Sequence, residues 1–502
     1  MENTEDRKNK KPSVISRFLS FFQKIGNKIL KFFINFYKFF KNGFKKFFNR
    51  FKDGSIGTKL SHLIMGAGNF YHKQFIKGFI YLALQFGFFF LMITSPMVNN
   101  TPIGFKSLGN LITLGTEEGG IIFNPDFTFE IIPTDNSMLM LLFGVIVIGI
   151  IAVYVVAHNS SIKSSYKADL DKRNNKKPTN FKQDIKSLLD DRFHVALLTP
   201  AMIGILVFTI LPTIFMILIA FTNSDKEHVP GQQLIDWVGF LNFSNIFSGT
   251  GEISRRFLPV LSWTLIWAFF ATFTNYIGGI LLALLINKKE VKFKKLWRTI
   301  FVITIALPQF VTLLAMRSLL MNQGPVHQML MNIGILAEGS TFEILQFASN
   351  PWTTRIAVIL INVWIGVPFT MLMTSGILMN VPSELYEAAQ IDGATKRQAF
   401  FNITIPYIVF VTTPYLITSF IGNITSFNVI FLLTSGLPRA GGGAIAGQTD
   451  LLVTWLYKLT IEQNDYNLGS VIAILTFIIT ASATLISYRR SKSFKEEDAF
   501  QW

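Results

Sequence analysis

The stretch Glu384–Pro406, ELYEAAQIDGATKRQAFFNITIP, is a polar segment set between two apolar runs. Its pattern is that of a water-facing helical hairpin. Ser383 is expected to cap a helix whose first turn carries Glu384 and Glu387, favourable at a positive helix end. Gly393 is expected to end that helix, as glycine does just past a C-cap. Thr395–Gln398 reads T-x-x-Q, a capping box that starts a second helix. That helix would carry Phe400, Phe401, Ile403 and Ile405 toward the membrane, with Pro406 opening the next span. Ala388, Ala389 and Gly393 keep one side low, so another surface could approach closely. A solvated helix that is merely rich in small residues fits as well, and the residues alone leave both readings open.

The runs on either side belong to a larger pattern. Half of the 502 residues are hydrophobic, 51 are Phe, and only 15% are charged. Mean hydropathy is +0.42. This balance implies several membrane spans rather than a soluble domain. Eight apolar stretches are long enough to cross, near 76–95, 137–157, 195–221, 259–286, 300–320, 356–379, 407–424 and 468–487. The net charge of +16 does not call for nucleic acid, because Lys and Arg collect between the apolar runs. Nine fall in 158–193 and six in 287–298, against one in 96–136 and none in 321–354. The positive-inside rule then puts both termini and the 380–406 loop in the cytoplasm.

The N-terminus is expected to be a cytoplasmic region, 1–57, and not a cleavable signal peptide, because charges run through it. Residues 1–60 carry 15 Lys and Arg against 4 Asp and Glu. From Ser13 to Phe51, Phe and Ile recur every three or four residues, with Lys24, Lys31 and Lys38 roughly opposite. Such a basic, aromatic helix lies in the membrane interface and engages lipid. Gly26 and Gly43 are expected to divide it. Two accessory spans and a Lys-rich linker would follow in 58–193, a six-span core in 194–490, with the hairpin at 381–406, and a tail in 491–502.

Several chemistries are missing. There is no G-x-x-x-x-G-K-[ST] loop for nucleotide phosphates and no H-E-x-x-H metal motif. The chain has no Cys, which removes disulfides, thiolate metal sites and Cys nucleophiles. No span holds an Asp or Glu well inside its apolar stretch, the common device for coupling to protons or sodium. Arg317, near one end of the fifth span, is expected to snorkel. No catalytic and no metal site is expected, and energy for pumping must come from another chain.

Against that background the spacing of the hairpin becomes specific. Glu387-Ala388-Ala389, three residues, Gly393, nine residues, then Ile403-x-Ile405-Pro406 resembles the cytoplasmic signature of the membrane subunits of binding-protein-dependent ABC importers. Ile405 stands where that family usually has Leu. The resemblance runs over roughly 190–488. LLTPAMIGILVFTILPTIFMILIAFTN looks like the first core span, and WVGFLNFSNIF like the segment after it. FNVIFLLTSGLP and GQTDLLVTWLYKLT are similar to the loop before the last span in the maltose and maltodextrin, or MalF-like, branch. The large external domain that some members insert between the third and fourth spans is absent here, where 222–258 holds 37 residues.

The resemblance implies an all-α polytopic membrane protein of about eight transmembrane helices with a six-helix permease core. It implies a permease subunit in a prokaryotic cell membrane, importing maltose- or maltodextrin-type oligosaccharides. Its partners would be a second related permease subunit, an ATP-binding subunit dimer that holds the ATP and Mg, and an extracellular solute-binding protein. Glu387, Ala388, Ala389, Asp392 and Gly393 would couple to the ATPase. Gln309, Ile365, Gly366, Phe369, Ser419, Gly422, Asn423 and Ser426 match the branch's substrate positions. Ser419, Asn423 and Ser426 share a helix face, and hydroxyl and amide groups suit sugar hydroxyls. Small polar residues also line plain helix contacts in membranes, so that reading stays open. Gly422 and Ser426 replace an aromatic and an amide of the maltose relatives, which leaves the sugar open. Other oligosaccharides, a glycerol-phosphate compound, or a stand-alone channel are the alternatives.

Overall fold

The computed structural model describes residues 31, 34–35, 37–38, 41–116, 120–123, 129–132, 135–228, 233–288, 290–337, 339, 351–439, 441 and 445–490. Gly26, most of the Phe/Lys stretch and the tail 491–502 lie outside them. The chain divides into two units, residues 1–114 with 138–212, and 115–137 with 213–502. The expected start of the core at 194 lies in the first turn of the helix Phe193–Ile219.

Among the described residues, seven helices are long and apolar enough to cross a membrane, or eight with one bent pair. They are α1 (Phe75–Thr94), α2 (Ser137–Arg173), α3 (Phe193–Ile219), α4 (Glu252–Asn287), the pair α5 (Lys294–Ala306) and α6 (Gln309–Leu319), α7 (Pro351–Met379), α9 (Lys396–Ile424) and α12 (Tyr466–Arg490). The hairpin helix α8 (Ser383–Ile391) precedes α9, and α10 (Asn428–Leu433) and α11 (Leu452–Tyr457) precede α12. Among the described residues, strand is confined to two short hairpins in the connection between α1 and α2. In the first, Asn99 and Asn100 both take positive φ, as a two-residue turn matched to strand twist requires.

The fifth span is not one rod. Its halves bend by 92°. Leu307, which precedes Pro308, is extended at φ −76° and ψ 135°, because the proline ring bars it from helix. Two other prolines are absorbed more gently. Pro212 and Pro406 each follow a π turn, Leu206–Ile210 and Phe400–Thr404. The wider turn relieves the clash between the ring and the carbonyl four residues back. Pro406 therefore does not open a new span, and the expected second hairpin helix is the first turn of α9.

In the first unit, α2 carries a hydroxyl-rich face at its charged end. Asp169 accepts hydrogen bonds from the Ser55 amide (2.9 Å), Ser55 Oγ (2.5 Å) and Thr58 Oγ1, and pairs with His72 Nε2. Asn69 Nδ2 donates to Ser164 Oγ at 2.9 Å. These bonds fasten residues 55–72 to α2. Phe88 of α1 stacks on Tyr154 of α2 with centroids 3.9 Å apart. Residues 41–53 are helical straight through Gly43, so the expected break there is absent. One glycine costs a helix only about 1 kcal/mol, and neighbours override it. Phe44 is exposed on this helix, whereas Phe47 and Phe51 both pack edge-on against His62.

In the second unit, α4 is central and packs on α7, α9 and α11. Trp263, Trp267 and Ala271 of α4 are buried with Val358 and Ile361 of α7, Leu313 of α6, and Val429, Ile430 and Leu433 of α10. Lipid tails are as apolar as these side chains, so close packing rather than water exclusion holds the helices. Glycine allows it. A Cβ on Gly279 would lie 2.4 Å from Thr370 Cβ, and one on Gly366 2.1 Å from Asn275 Nδ2.

Candidate functional site

The hairpin presents its signature outward. Glu387, Ala388, Asp392 and Gly393 are exposed, and Ala389 is half-buried. Gly393 sits at φ +77°, the left-handed region that costs an L-residue roughly 1–2 kcal/mol. Its N–H bonds the Gln390 carbonyl at 3.1 Å, and the Ala394 N–H bonds the Ala389 carbonyl at 2.9 Å. This paired arrangement is the Schellman end of a helix, and glycine is its usual pivot. The T-x-x-Q box is formed as expected. Gln398 Oε1 accepts from the Thr395 amide at 2.8 Å, and Thr395 Oγ1 accepts from the Gln398 amide at 3.3 Å.

Ser383 does not cap α8. It is the first helical residue, Pro382 occupies the cap position, and no side chain bonds there. Proline in the flank fixes the backbone angle without a side-chain acceptor. The hairpin is anchored at its base, where Tyr386 Oη and Thr404 Oγ1 lie 2.8 Å apart.

Sequence reading missed two residues. Leu385 and Ile391 of α8 are both exposed, Ile391 by 86%. With Ala388 they form an apolar stripe at three-residue spacing on a surface that is otherwise charged. The signal was present: apolar side chains repeat on a helix already assigned to water.

The midway residues are held in different ways. Ile365 packs against the Trp263 cluster, and Gly366 faces Asn275 in the α4–α7 crossing. Phe369 is 49% exposed, and its ring lies 5.9 Å from that of Tyr415 on α9. Tyr415 precedes Ser419 and Gly422 by four and seven residues, which puts the three on one face. Asn423 Nδ2 donates to Thr272 Oγ1 of α4 at 2.9 Å. Gln309 is exposed just past the bend in the α5–α6 pair, and Ser426 is half-buried beyond the end of α9. Three residues outside the sequence set join this polar seam, Thr272, Asn275 and Tyr415. Asn275 Oδ1 is buried with no hydrogen-bond partner among the described residues. Threonine and asparagine three apart in an apolar span were the signal for the first two.

The loop between α10 and α12 is clamped onto α4. Arg355 of α7 lies over the Trp263 and Trp352 rings, 4.6 and 4.9 Å from their centroids, and donates to the Gln448 carbonyl at 2.8 and 3.0 Å. Trp263 Nε1 donates to the Thr449 carbonyl at 3.0 Å. Asp450 accepts from Lys458 Nζ (2.6 Å), the Gly447 amide (2.7 Å) and Thr454 Oγ1 (2.8 Å). Arg317 does not simply snorkel: Nη1 reaches the Leu432 carbonyl at 3.4 Å, at the end of α10. Asn242, from the WVGFLNFSNIF segment, donates to the Ala220 and Thr222 carbonyls, at 3.0 and 2.7 Å.

Residues 275–492 match the family described as binding-protein-dependent transport system inner membrane component. Over 439 residues the chain is 34% identical to the galactooligosaccharides transport system permease protein GanP of Bacillus subtilis, covering 87% of this chain and 98% of that one. It is also 34% identical over 449 residues to the maltodextrin transport system permease protein MalC of Streptococcus pneumoniae, covering 88% and 96%. A solved bacterial ABC transporter involved in the import of alginate shares the fold over 62% of this chain and 98% of its own, with TM-score 0.50 and 23% identity. With this similarity along nearly the whole length of its relatives, the chain belongs to the family of ABC importer permease subunits, and is a multi-pass membrane protein.

Proposed function

We propose that this chain is the membrane-spanning subunit of an ATP-driven importer for maltodextrin-type oligosaccharides. The observation that carries the reading is the exposed Schellman-ended hairpin in a chain without an energy source. A second, related permease subunit would complete the pathway, and a dimer of ATP-binding subunits would hold ATP and Mg. An extracellular solute-binding protein would deliver the sugar. Both termini and the hairpin would lie in the cytoplasm.

In the mechanism, α8 seats in a cleft of the ATPase through Glu387, Ala388, Ala389, Asp392 and Gly393, with Leu385 and Ile391 as apolar anchors. Closure of the ATPase on ATP pulls α8. Because α8 is tied by Tyr386–Thr404 to the root of α9, the pull reaches the spans, which open outward and admit the sugar. Hydrolysis resets them. Phe369 and Tyr415 offer ring faces to a pyranose, while Gln309, Ser419, Gly422, Asn423 and Ser426 supply hydroxyl, amide and open backbone. Ile365 and Gly366 shape the site by holding α4 against α7.

The test is Gly393→Val in the intact transporter. A branched residue at positive φ distorts the hairpin, so uptake should be lost while the binding protein still takes up sugar. A stand-alone channel would transport unchanged. A second reading of the substrate, galacto-oligosaccharide, is favoured by the equal likeness to GanP, and competition for uptake between the two sugar classes decides it. A glycerol-phosphate substrate is disfavoured, because none of the pocket positions is basic.

A further inference from the structure

The first unit holds a cavity lined by none of the residues assigned above to sugar or to the ATPase. It has a volume of about 550 Å³ and lies between the charged ends of α1 and α2 and the helix Phe181–Leu189. That volume is in the range of roughly 300–1,000 Å³ typical of ligand sites. Four cations line it, Lys77, Lys163, Lys167 and Arg192, against one acid, Asp184. Lys77 already ion-pairs with Asp184 and donates to the Thr179 carbonyl at 2.6 Å. Lys163, Lys167 and Arg192 are exposed, and their side chains make no hydrogen bond or ion pair among the described residues. Ser160 and Ser164 bring hydroxyls to the same wall. Residues 160, 163, 164 and 167 recur at three and four, so α2 aims cations and hydroxyls together into the cavity.

A second, apolar groove of about 480 Å³ runs along α1 and is lined by Phe79, Ile80, Ala83, Leu84, Gly87 and Phe88. Ile80 lines both cavities. On α1 the face passes from Lys77 through Ile80 and Leu84 to Gly87, from a charged end to the middle of an apolar span. A cationic, hydroxyl-lined mouth that leads into a greasy groove along a membrane helix matches one amphiphile. We propose that this site binds an anionic phospholipid, its phosphodiester against Lys163, Lys167 and Arg192 and one acyl chain along Ala83–Gly87. Basic pockets between spans take such headgroups on electrostatic grounds. The occupied site would tie the helix Phe181–Leu189 to α1 and α2.

The full-length chain, purified with its co-purifying subunits, is placed in nanodiscs with equal phosphatidylcholine and phosphatidylglycerol, then extracted and examined by native mass spectrometry. The wild-type chain should retain phosphatidylglycerol over phosphatidylcholine by about tenfold or more, since each membrane-proximal cation contributes appreciably. The exposed triple variant Lys163→Gln/Lys167→Gln/Arg192→Gln should lose that preference with an unchanged melting temperature. Gly87→Leu, where a Cβ meets nothing within 4 Å, fills the groove and should lower retention with every cation intact. Equal retention of both lipids by the wild type, or full retention by the triple variant, overturns the proposal. Displacement of the retained lipid by inorganic phosphate alone assigns the cavity to a free phosphate, and indifference to Gly87→Leu shows that no acyl chain lies in the groove; either result equally overturns the proposal.

Discussion

Asp450 shows what single residues do here. Its carboxylate is fully buried and meets Lys458, an amide and a hydroxyl, so every strong partner is supplied locally. Removing one member leaves an uncompensated charge, which typically costs about 3–5 kcal/mol. Lys458→Met should therefore lower thermal stability sharply, and Asp450→Asn added to it should recover much of the loss. Purely additive losses would show that the pair is not coupled. Asp465, in the turn before α12, behaves differently. Burial, then the charge of Asp225, push its carboxyl above the ordinary value, against help from Lys226. Its folded form holds its proton to higher pH than the unfolded chain, so it weakens the fold increasingly as pH rises from about 4. Asp465→Asn should raise the melting temperature at pH 7 and leave it unchanged below about pH 4, as scanning fluorimetry at the two pH values would read. The residue scale was the least legible in the sequence. GQTDLLVTWLYKLT marked the segment, yet nothing in its spacing could say that Asp450 and Lys458 meet, because the pairing depends on how the loop folds back on α4.

The elements were more legible, since hydrophobic length and turn residues are local properties. All eight apolar stretches correspond to helices, and the Thr395–Gln398 box and the Gly393 terminus formed as their chemistry demands. What escaped was backbone accommodation. The sequence marks Pro308 and Pro406 alike, but one bends its span by 92° and the other is taken up by a π turn. Neighbouring helices decide between these outcomes, not the proline. The same holds for the glycines, which look equivalent until packing sorts them. A side chain on Gly279 would enter Thr370 and the Met371 backbone, while one on Gly376 of α7 meets nothing within 4 Å. Gly279→Leu should cost about 1–3 kcal/mol or more of overpacking, visible as lost folded yield in detergent, and Gly376→Leu should be near neutral. Equal behaviour of the two variants would mean that the α4–α7 crossing is not tight.

At the scale of the molecule, the arrangement across the membrane rests on charge asymmetry. The nine cations of 158–193 and six of 287–298 lie in alternate connections to 96–136, with a single Lys, and 321–354, with no Lys or Arg. Deleting the cationic N-terminal stretch should leave the orientation intact, because the remaining connections carry the bias on their own. The absence of cysteine makes this directly measurable, since any thiol introduced is the only one in the chain. Asn174 and Glu252 are both exposed, the first beyond the end of α2 and the second at the start of α4. A membrane-impermeant maleimide added to intact cells should label Glu252→Cys and leave Asn174→Cys unlabelled until the membrane is opened. The same pair in a chain lacking residues 13–43 should label identically. Labelling of Asn174→Cys from outside would invert the chain, put the 384–406 hairpin on the wrong side to meet an ATPase, and remove the basis for coupling through Gly393.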